Sequence, residues 1–327
     1  MITLEGDALI LRFPEVHDDA TCAIGFQRTL RIPDDGKNYP LPPGLGQFPL
    51  RHLDDYARQI PGGWLARGGL IMPMFQAEAM WISFGRGWGG YPFALKFGTG
   101  KINAVTGEAW TNHLNDDPQD YVVTPEQPWL DGYSVEKGVI RQFVAMPLGD
   151  GYSVEEQITG TAEHGGLQIV AYPMKADRYE ALGRPRGDGI KEFYSEGFDM
   201  GLAPGGRMKQ EIYADPYGLD AWDQRHCSRC FVTILNLAKW MAVTGERPPT
   251  EPPTAKDYTE AGLPWFDYYG GDAEVVEGAR SLNGLSSVNK IAKQKGKAPL
   301  PENENIAVEK IIALRKDGVS KVREACI

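Results

Sequence analysis

Residues 131–155 read Asp-Gly-Tyr-Ser-Val-Glu-Lys-Gly-Val-Ile-Arg-Gln-Phe-Val-Ala-Met-Pro-Leu-Gly-Asp-Gly-Tyr-Ser-Val-Glu and carry one hexapeptide twice, at 131–136 and 150–155. The apolar run Val139–Met146 separates the two copies. Asp-Gly is a strong signal for a tight hairpin turn, and the β-branched and aromatic residues of the run are typical of a strand. The spacing of 19 residues predicts a meander in which turns and strands alternate. Two copies are too few for a solenoid or a propeller.

Short apolar or alternating runs, separated by turn residues, continue along the chain as far as residue 235. The 39 glycines and 24 prolines among 327 residues indicate many turns and short elements. We therefore predict an α+β fold with a mainly antiparallel, β-rich body, either a sandwich or a strongly bent sheet. One short helix is predicted from Leu50 to Ile60, where apolar residues have helical spacing. The predicted strands are Ala8–Phe13, Cys22–Ile32, Ala79–Phe84, Pro92–Phe97, Tyr121–Thr124, Val139–Met146, Gln168–Tyr172, Met208–Tyr213 and Arg229–Leu235.

The pattern changes after residue 235. Asn236 is a suitable N-cap for a helix that ends at Thr244, with Gly245 as its stop. Further helices are predicted at 254–262, 272–279 and 305–316. Helices of this size bury little core alone, so we expect them to pack on the β body. The predicted organisation is a β-rich domain at 1–247, a proline-rich connector at 248–254 and a helical C-terminal segment at 255–327.

The charge of the chain is acidic and unevenly distributed. Its formal net charge is −10, whereas the residues from Val288 onward carry nine Lys and Arg against five acids. An acidic body argues against nucleic acid as a partner, because phosphate binding needs a basic face. The start of the chain lacks a basic region followed by an apolar stretch, and the apolar runs are too short to span a bilayer. Four scattered cysteines do not form a dense disulfide framework. We expect a soluble, cytoplasmic protein with reduced thiols and no membrane partner.

Two glycine-rich stretches resemble loops that bind phosphate groups. Residues 85–90 read Gly-Arg-Gly-Trp-Gly-Gly and have the spacing of a dinucleotide loop. A helix has to follow such a loop, whereas Tyr91-Pro92 leads into another strand-like run. We interpret this stretch as a hairpin loop that displays Trp88. Residues 98–101, Gly-Thr-Gly-Lys, lack the first glycine of a phosphate loop and predict a tight turn. No cofactor is therefore predicted.

Residues 226–230, His-Cys-Ser-Arg-Cys, are the best metal-site candidate in the sequence. A Cys-x-x-Cys pair can hold half of a tetrahedral zinc site or carry redox chemistry. No second pair follows at the spacing of a zinc ribbon or finger. In a strand, Cys227 and Cys230 would also point to opposite faces. Buried structural thiols are the preferred interpretation, and no metal site is predicted.

Several carboxylates lie near predicted turns. Two suitably separated acids suffice for glycoside hydrolysis, but a sequence does not fix their separation. The alternative functional hypothesis is therefore a hydrolase that uses loop carboxylates, or a metal-dependent enzyme with ligands from His226, Cys227 and Cys230. The candidate acids are Asp131, Glu136, Asp150, Glu155, Asp223 and Asp267.

Two stretches carry a Pro-Trp motif in which an indole precedes a carboxylate and a phenol: residues 128–133, Pro-Trp-Leu-Asp-Gly-Tyr, and residues 264–269, Pro-Trp-Phe-Asp-Tyr-Tyr. Such a grouping can bind a sugar, a cation or a partner's side chain. It can equally close the end of a sheet, with each aspartate capping its own turn. We predict a non-catalytic cytoplasmic binding or assembly protein that forms homo-oligomers and recognises a protein partner or a small ligand. The predicted ligand-binding residues are Trp88, Trp129, Asp131, Tyr133, Trp265, Asp267 and Tyr268.

Overall fold

The structure, a computed structural model, describes residues 1–84, 90–183, 201–247, 265–269, 273–298 and 311–315, with single positions at 252, 254, 256, 306 and 308. The strands of these residues, in chain order, are β1 Ile2–Glu5, β2 Ala8–Arg12, β3 Thr21–Leu30, β4 Asn38–Tyr39, β5 Gly44–Gln47, β6 Arg51–His52, β7 Leu70–Pro73, β8 Glu78–Phe84, β9 Phe93–Thr99, β10 Ile102–Asn103, β11 Val122–Thr124, β12 Trp129–Leu130, β13 Gly132–Glu136, β14 Val139–Met146, β15 Leu167–Pro173, β16 Gly201–Lys209, β17 Ser228–Leu235, β18 Trp265–Tyr269 and β19 Ile311–Arg315. The helices are α1 Gly62–Arg67, α2 Val154–Thr159, α3 Ala176–Ala181, α4 Leu237–Thr244, α5 Arg280–Asn283 and α6 Val288–Gln294.

Two large sheets form the body. The first has ten strands in the order β1-β2-β3-β8-β14-β16-β4, with β5, β12 and β13 attached to β3, β8 and β14. The second has seven strands in the order β10-β9-β15-β17-β7-β6, with β11 attached to β9. The pairings are antiparallel except β16 with β4 and β17 with β7. A third sheet is the parallel pair β18 and β19.

The two large sheets pack face to face as a sandwich. Phe84 of the first sheet stacks on Phe97 of the second, with ring centroids 5.5 Å apart. The hydroxyls of Thr99 and Tyr133 also meet across the interface at 2.8 Å. One hydrophobic cluster includes inward-facing residues of both sheets. The predicted α+β class with an antiparallel β-rich body is confirmed.

The structure also confirms eight of the predicted strands, and the predicted helix at 237–244. Asn236 accepts a hydrogen bond from the Lys239 N–H, and Gly245 ends the helix in the left-handed conformation. The exception is the strand predicted at Met208–Tyr213, because β16 spans Gly201–Lys209 instead. The first half of β16 is rich in Gly and Pro, so the pattern of apolar and β-branched residues does not predict a strand there. A Cβ on Gly205 would lie 2.5 Å from Val144, so the close packing of β16 on β14 requires glycine there.

The second copy of the hexapeptide leads into helix α2 and not into the strand that a meander would place after the turn. Ser153 instead caps helix α2 in a capping box: its Oγ accepts the Glu156 N–H, and Glu156 accepts the Ser153 N–H. In the first copy the corresponding position is Lys137, which cannot complete the box, and the segment forms strand β13. The residue that follows each copy, Glu156 or Lys137, therefore determines whether a capping box can form.

Other helix predictions also differ from the structure. The helix predicted from Leu50 to Ile60 is a short 3-10 helix at Leu53–Tyr56, and α1 follows it. Residues 273–279 are extended, with Val275 bridged to Tyr213. Ile311–Arg315 is a strand paired with Trp265–Tyr269, so the helix predicted at 305–316 is wrong there. The tertiary pairing and the β-branched pair Ile311-Ile312 outweigh the helical spacing.

The C-terminal elements contact the sandwich. Trp265 packs in a cluster with Leu30 and Ile140 of the first sheet. Val288 of α6 packs with Val144 in a second cluster. Of the predicted connector and the helix at 254–262, only residues 252, 254 and 256 are described, so both lie largely outside the described residues. The division into domains at residue 247 stays a prediction.

Candidate functional site

The first Pro-Trp motif lies within the larger sheet and not at a loop. Asp131 and Tyr133 are 3% and 0% exposed. Asp131 Oδ2 accepts a hydrogen bond of 2.5 Å from Gln210 Nε2, and its backbone N–H donates to Gln210 Oε1 at 2.9 Å. Burial in this position raises the pKa of the Asp131 carboxyl to about 7. In this conformation the side chains of Asp131 and Tyr133 are packed inside the protein and are closed off from solvent.

The second Pro-Trp motif packs against the first. Trp265 is 2% exposed, Tyr268 is half-buried and Asp267 is exposed. The rings of Trp129 and Tyr268 meet edge to face, with centroids 4.8 Å apart. The structure thus brings Trp129 and Tyr268 together, while Trp88 lies outside the described residues. Ligand binding by the seven predicted residues stays a prediction.

The structure gives the surroundings of two residues in the candidate metal segment at 226–230. His226 Nδ1 lies 2.8 Å from Asp223 Oδ2, which holds the imidazole by a hydrogen bond. Burial raises the pKa of the Cys230 thiol to about 12, which keeps it protonated at neutral pH. Over the described part of the chain, no group of three or more His, Cys, Asp or Glu side chains could hold a metal ion.

A cleft of about 340 Å³ opens on the outer face of the smaller sheet. Phe97 and Ile169 pair in register on the inner face, where Phe97 stacks against the larger sheet. Because side chains alternate along a strand, Gln168 and its neighbours in register point the opposite way. We call this feature the Gln168 cleft. It is lined by Arg67, Lys101, Trp110, His164, Gln168, Ile169, Val170, Arg229, Cys230 and Phe231.

The floor of the Gln168 cleft is set by strand register. Gln168 of β15 pairs with Gly98 of β9 on one side and with Phe231 of β17 on the other. Two residues further along β15, Val170 lies between Lys96 and Arg229 in the same way. The row Gly98, Gln168 and Phe231 therefore presents an amide and an aromatic ring. The next row, Lys96, Val170 and Arg229, has a cation at each end.

Trp110 forms one wall of the cleft because Gly98 leaves room for it. A Cβ on Gly98 would lie 2.5 Å from Cε3 of the Trp110 ring. The buried Lys96 lies beside the same ring, with its ammonium 5.4 Å from the centroid. Lys96 also donates to Thr111 Oγ1 at 2.8 Å and to the His113 carbonyl at 2.7 Å, which fixes the segment after Trp110. The Lys96 charge is balanced by an ion pair with Asp120.

The rim of the cleft is cationic. Arg67, Lys101 and Arg229 are exposed side chains, and His164 is half-buried. The Arg67 guanidinium lies 4.7 Å from the Phe231 centroid, and its Nη1 donates to the His164 carbonyl at 2.8 Å. None of the described residues that line the cleft is acidic. In a chain of net charge −10, this is a local concentration of positive charge.

Glu155 holds the loop that carries His164. Its carboxylate accepts hydrogen bonds from three consecutive backbone N–H groups, of Glu163 at 3.1 Å, His164 at 2.9 Å and Gly165 at 2.8 Å. The Glu155 side chain is buried, at 2% exposure. Charge-assisted hydrogen bonds of this kind fix a loop more firmly than neutral ones.

Gln168 is the unusual residue of the cleft. Its side chain is 9% exposed, and its Nε2 is buried with no hydrogen-bond partner among the described residues. A buried donor without a partner costs free energy in most proteins, about 1–3 kcal/mol. Rotation about the last side-chain bond exchanges Nε2 and Oε1, so the amide can present either a donor or an acceptor to the cleft.

Sequence reasoning missed this site. The four contributing segments are far apart in the chain and meet only through the pairing of β9, β15 and β17. One signal was available: Gln168 and Arg229 are polar residues within predicted strands that are otherwise largely apolar. Polar residues in a strand predict an outward face, but not a cleft on it.

Comparison of the chain with protein-family models, with curated proteins and with solved structures finds no match in any of the three. In the part of the chain that the structure describes, no helix has the length and apolar character needed to cross a membrane. Function therefore has to be argued from the residues of the chain itself.

Proposed function

We propose that this protein is a non-catalytic binding protein that holds a small anionic ligand in the Gln168 cleft. The observation that carries the proposal is a cleft with Gln168 on its floor and a cationic rim, with no acidic side chain among the described residues that line it. Sites for small ligands are concave, mostly apolar and supplied with a few converging polar groups, and typically measure about 300–1,000 Å³. The Gln168 cleft, at about 340 Å³, has this composition and size.

The charges favour an anion. Three exposed cations surround the cleft. Two acids that bond to residues beside it have partners of their own: Asp120 pairs with Lys96, and Glu155 binds backbone N–H groups. Glu163, the residue before His164, is exposed, and its Oε2 lies 3.8 Å from His164 Nε2. Cations within a cleft concentrate anions there, and the effect weakens as salt rises.

Calorimetric titration with a panel of small carboxylates and phosphates tests the proposal. Replacing Arg229 with Gln removes a charge at the cleft, and we expect affinity for the bound anion to fall about ten-fold at low salt. Arg225→Gln is the matched control, because Arg225 is exposed, belongs to the same segment and does not line the cleft. Equal affinities for the wild type and Arg229→Gln, or failure of every anion to bind, would overturn the proposal.

The remaining expectations from the sequence accompany this proposal as predictions. A cytoplasmic location, homo-oligomer formation, a protein partner and recognition through the seven predicted ligand-binding residues each await a test of their own. The same holds for the alternative of a hydrolase or a metal-dependent enzyme.

A further inference from the structure

We infer that the ligand of the Gln168 cleft carries a negative charge at each end of a short uncharged chain, and that its class is a short-chain dicarboxylate. This inference rests on the proposed function, since it names the ligand class of the same site. It follows from where strand register and loop contacts place the cations along the cleft.

One end of the cleft is formed where two loops meet. The Gly100 N–H donates a hydrogen bond of 3.2 Å to the Gly165 carbonyl. The turn that carries Lys101 therefore lies beside the loop that carries His164. Arg67 reaches the same loop, since its Nη1 donates to the His164 carbonyl at 2.8 Å. Two exposed cations and a half-buried imidazole thus belong to this end.

Arg229 marks the opposite end of the cleft. The Arg67 guanidinium lies 4.7 Å from the centroid of the Phe231 ring, and this ring leans over Gly166, where an added Cβ would lie 2.8 Å from Phe231 Cζ. Arg229 instead pairs with Val170, three residues beyond the start of β15 at residue 167. Because a strand advances about 3.3 Å per residue, Arg229 is attached about 10 Å along the strand from the end at which Arg67 lies.

The lining between the two ends is uncharged. Gln168 lies on β15 between them, and its partner in register on β9 is Gly98. The Trp110 ring lies over Gly98, since an added Cβ there would be 2.5 Å from its Cε3. The Lys96 ammonium near this ring is ion-paired with Asp120, and Lys96 does not line the cleft. A ligand that fits the cleft therefore has its charges at its ends and an uncharged middle.

The separation of the two cationic ends sets the length of the ligand. An extended chain advances about 1.2 Å per bond, so the five carbon–carbon bonds of a six-carbon dicarboxylate span about 6 Å. A hydrogen bond of about 2.8 Å at each end extends this reach to about 12 Å. The reach of such a molecule is therefore close to the separation of the two ends.

Carboxylates suit both ends, because a guanidinium can donate two parallel hydrogen bonds to one carboxylate. None of the described residues that line the cleft is acidic, so no lining side chain neutralises Arg229 or the cations of the opposite end. A ligand with a single charge serves only one end. When two carboxylates are linked, binding of the first raises the effective concentration of the second, provided that the chain spans both ends.

Calorimetric titration of the full-length protein tests the inference with succinate, glutarate, adipate and suberate. Butyrate and hexanoate are the singly charged counterparts, and inorganic phosphate is the compact anion. We expect the best dicarboxylate to bind at least ten-fold more tightly than hexanoate, because only a dicarboxylate contacts both ends at once. Affinity should pass through a maximum as the chain lengthens, since a chain that is too short cannot span the cleft.

Variants at the two ends show whether both charges are recognised. Arg229→Gln and Lys101→Gln should each weaken adipate binding about ten-fold, whereas hexanoate, which can use the other end, should weaken by less than about two-fold. The two residues belong to different elements, so a folding defect in one variant does not affect the other. Arg229→Lys keeps the charge and should retain most of the affinity. Arg225→Gln, which lies outside the cleft, is the control and should change neither ligand.

The outcomes separate the two proposals. If hexanoate binds as tightly as the best dicarboxylate, or loses as much affinity as adipate in both variants, the second charge is not recognised and the inference is wrong, while an anion site remains. If phosphate binds more tightly than every dicarboxylate, the assigned class is wrong. If no carboxylate binds but another anion of the wider panel does, the dicarboxylate class alone is wrong; if no anion binds, the proposed function falls too.

Discussion

The carboxylate of Glu155 accepts a hydrogen bond of 2.8 Å from the backbone N–H of Gly165, and two further N–H groups of the same loop bind it as well. A helix residue thus fixes a rim of the Gln168 cleft from below. Glu155 is also the last residue of the repeated hexapeptide, and Glu136 at the end of the first copy instead pairs with Arg207 at the surface. The same residue type therefore serves two different purposes in the two copies.

Glu155→Gln should loosen this loop. The substitution removes the negative charge and turns one acceptor into a donor, which faces a backbone donor. We expect the free energy of unfolding to fall by about 1.5–3 kcal/mol, and the amides of residues 163–165 to exchange faster with deuterium. Urea denaturation and hydrogen exchange measure the two effects. Glu163→Gln, at an exposed side chain, should change stability by less than about 0.5 kcal/mol. If the amides of residues 163–165 exchange with deuterium at the same rate in Glu155→Gln as in the wild type, Glu155 does not hold this loop.

Gln168→Leu should separate stability from binding. Leucine is close in size to glutamine and removes a buried donor that has no partner, so we expect stability to be unchanged or to rise by about 1–2 kcal/mol. Affinity for the cleft ligand should fall. Gln142→Leu is the matched control, because Gln142 bonds the Ile32 N–H at 2.9 Å and the Leu30 carbonyl at 3.0 Å, both buried. That change should cost at least about 2 kcal/mol by urea denaturation. A comparable loss in both variants would show that the Gln168 amide is satisfied in solution.

Asp131 should make stability depend on pH. Its carboxyl has a pKa raised by burial to about 7, above its usual value of about 3.9 in an unfolded chain. The folded protein therefore binds a proton more tightly, and the associated stability is present below pH 4 and lost as pH rises toward 7. The loss is at most about 4 kcal/mol. Asp131→Asn cannot titrate, so its stability advantage over the wild type should grow between pH 4 and pH 7. A difference that does not vary with pH, measured by urea denaturation, would show that the carboxyl keeps an ordinary pKa.

Asp120→Asn should destabilise the protein through the buried Lys96. Both side chains are buried, and the substitution leaves an ammonium without its counter-charge. We expect a loss of about 3–5 kcal/mol, partly recovered in the double variant Lys96→Met with Asp120→Asn. Because Lys96 fixes the segment after Trp110, fluorescence of that tryptophan should also change.

An exposed ion pair provides the control for the buried pair of Lys96 and Asp120. Lys137 and Glu277 form an ion pair at 3.2 Å with both side chains largely in solvent. Glu277→Gln should therefore change stability by less than about 1 kcal/mol. If Asp120→Asn costs no more than Glu277→Gln, the Lys96 ammonium reaches solvent or other acceptors on its own.

Much of the sheet structure could be predicted from the sequence, because alternation and β-branched residues are local signals. Strand β14 was predicted for this reason, and helix α4 was predicted from its capping residues Asn236 and Gly245; both positions are confirmed. Strand β16 begins in a Gly- and Pro-rich stretch whose conformation is fixed by close packing on β14, which no local pattern reveals. Strand β19 follows from its pairing with β18 and overrides a helical pattern.

The site was harder to predict than the fold. The two Pro-Trp motifs are conspicuous in the sequence. In the structure, however, Trp129 of one motif packs against Tyr268 of the other. The Gln168 cleft has no motif, because each strand contributes only one or two of its residues. Its chemistry depends on Gln168 facing Phe231 across β15 and β17, and register between distant segments is a property of the folded chain.

Gly98 controls the position of Trp110, and therefore the width of the Gln168 cleft. The Trp110 indole rests on main-chain atoms because residue 98 has no side chain, and even one methyl group there would push the indole away from the sheet. Substituting Gly98 would therefore alter the dimensions of the cleft without replacing any residue that lines it. A small set of variants at this one position should change the size of ligand that the cleft accepts, which makes residue 98 a useful position for redesigning ligand preference.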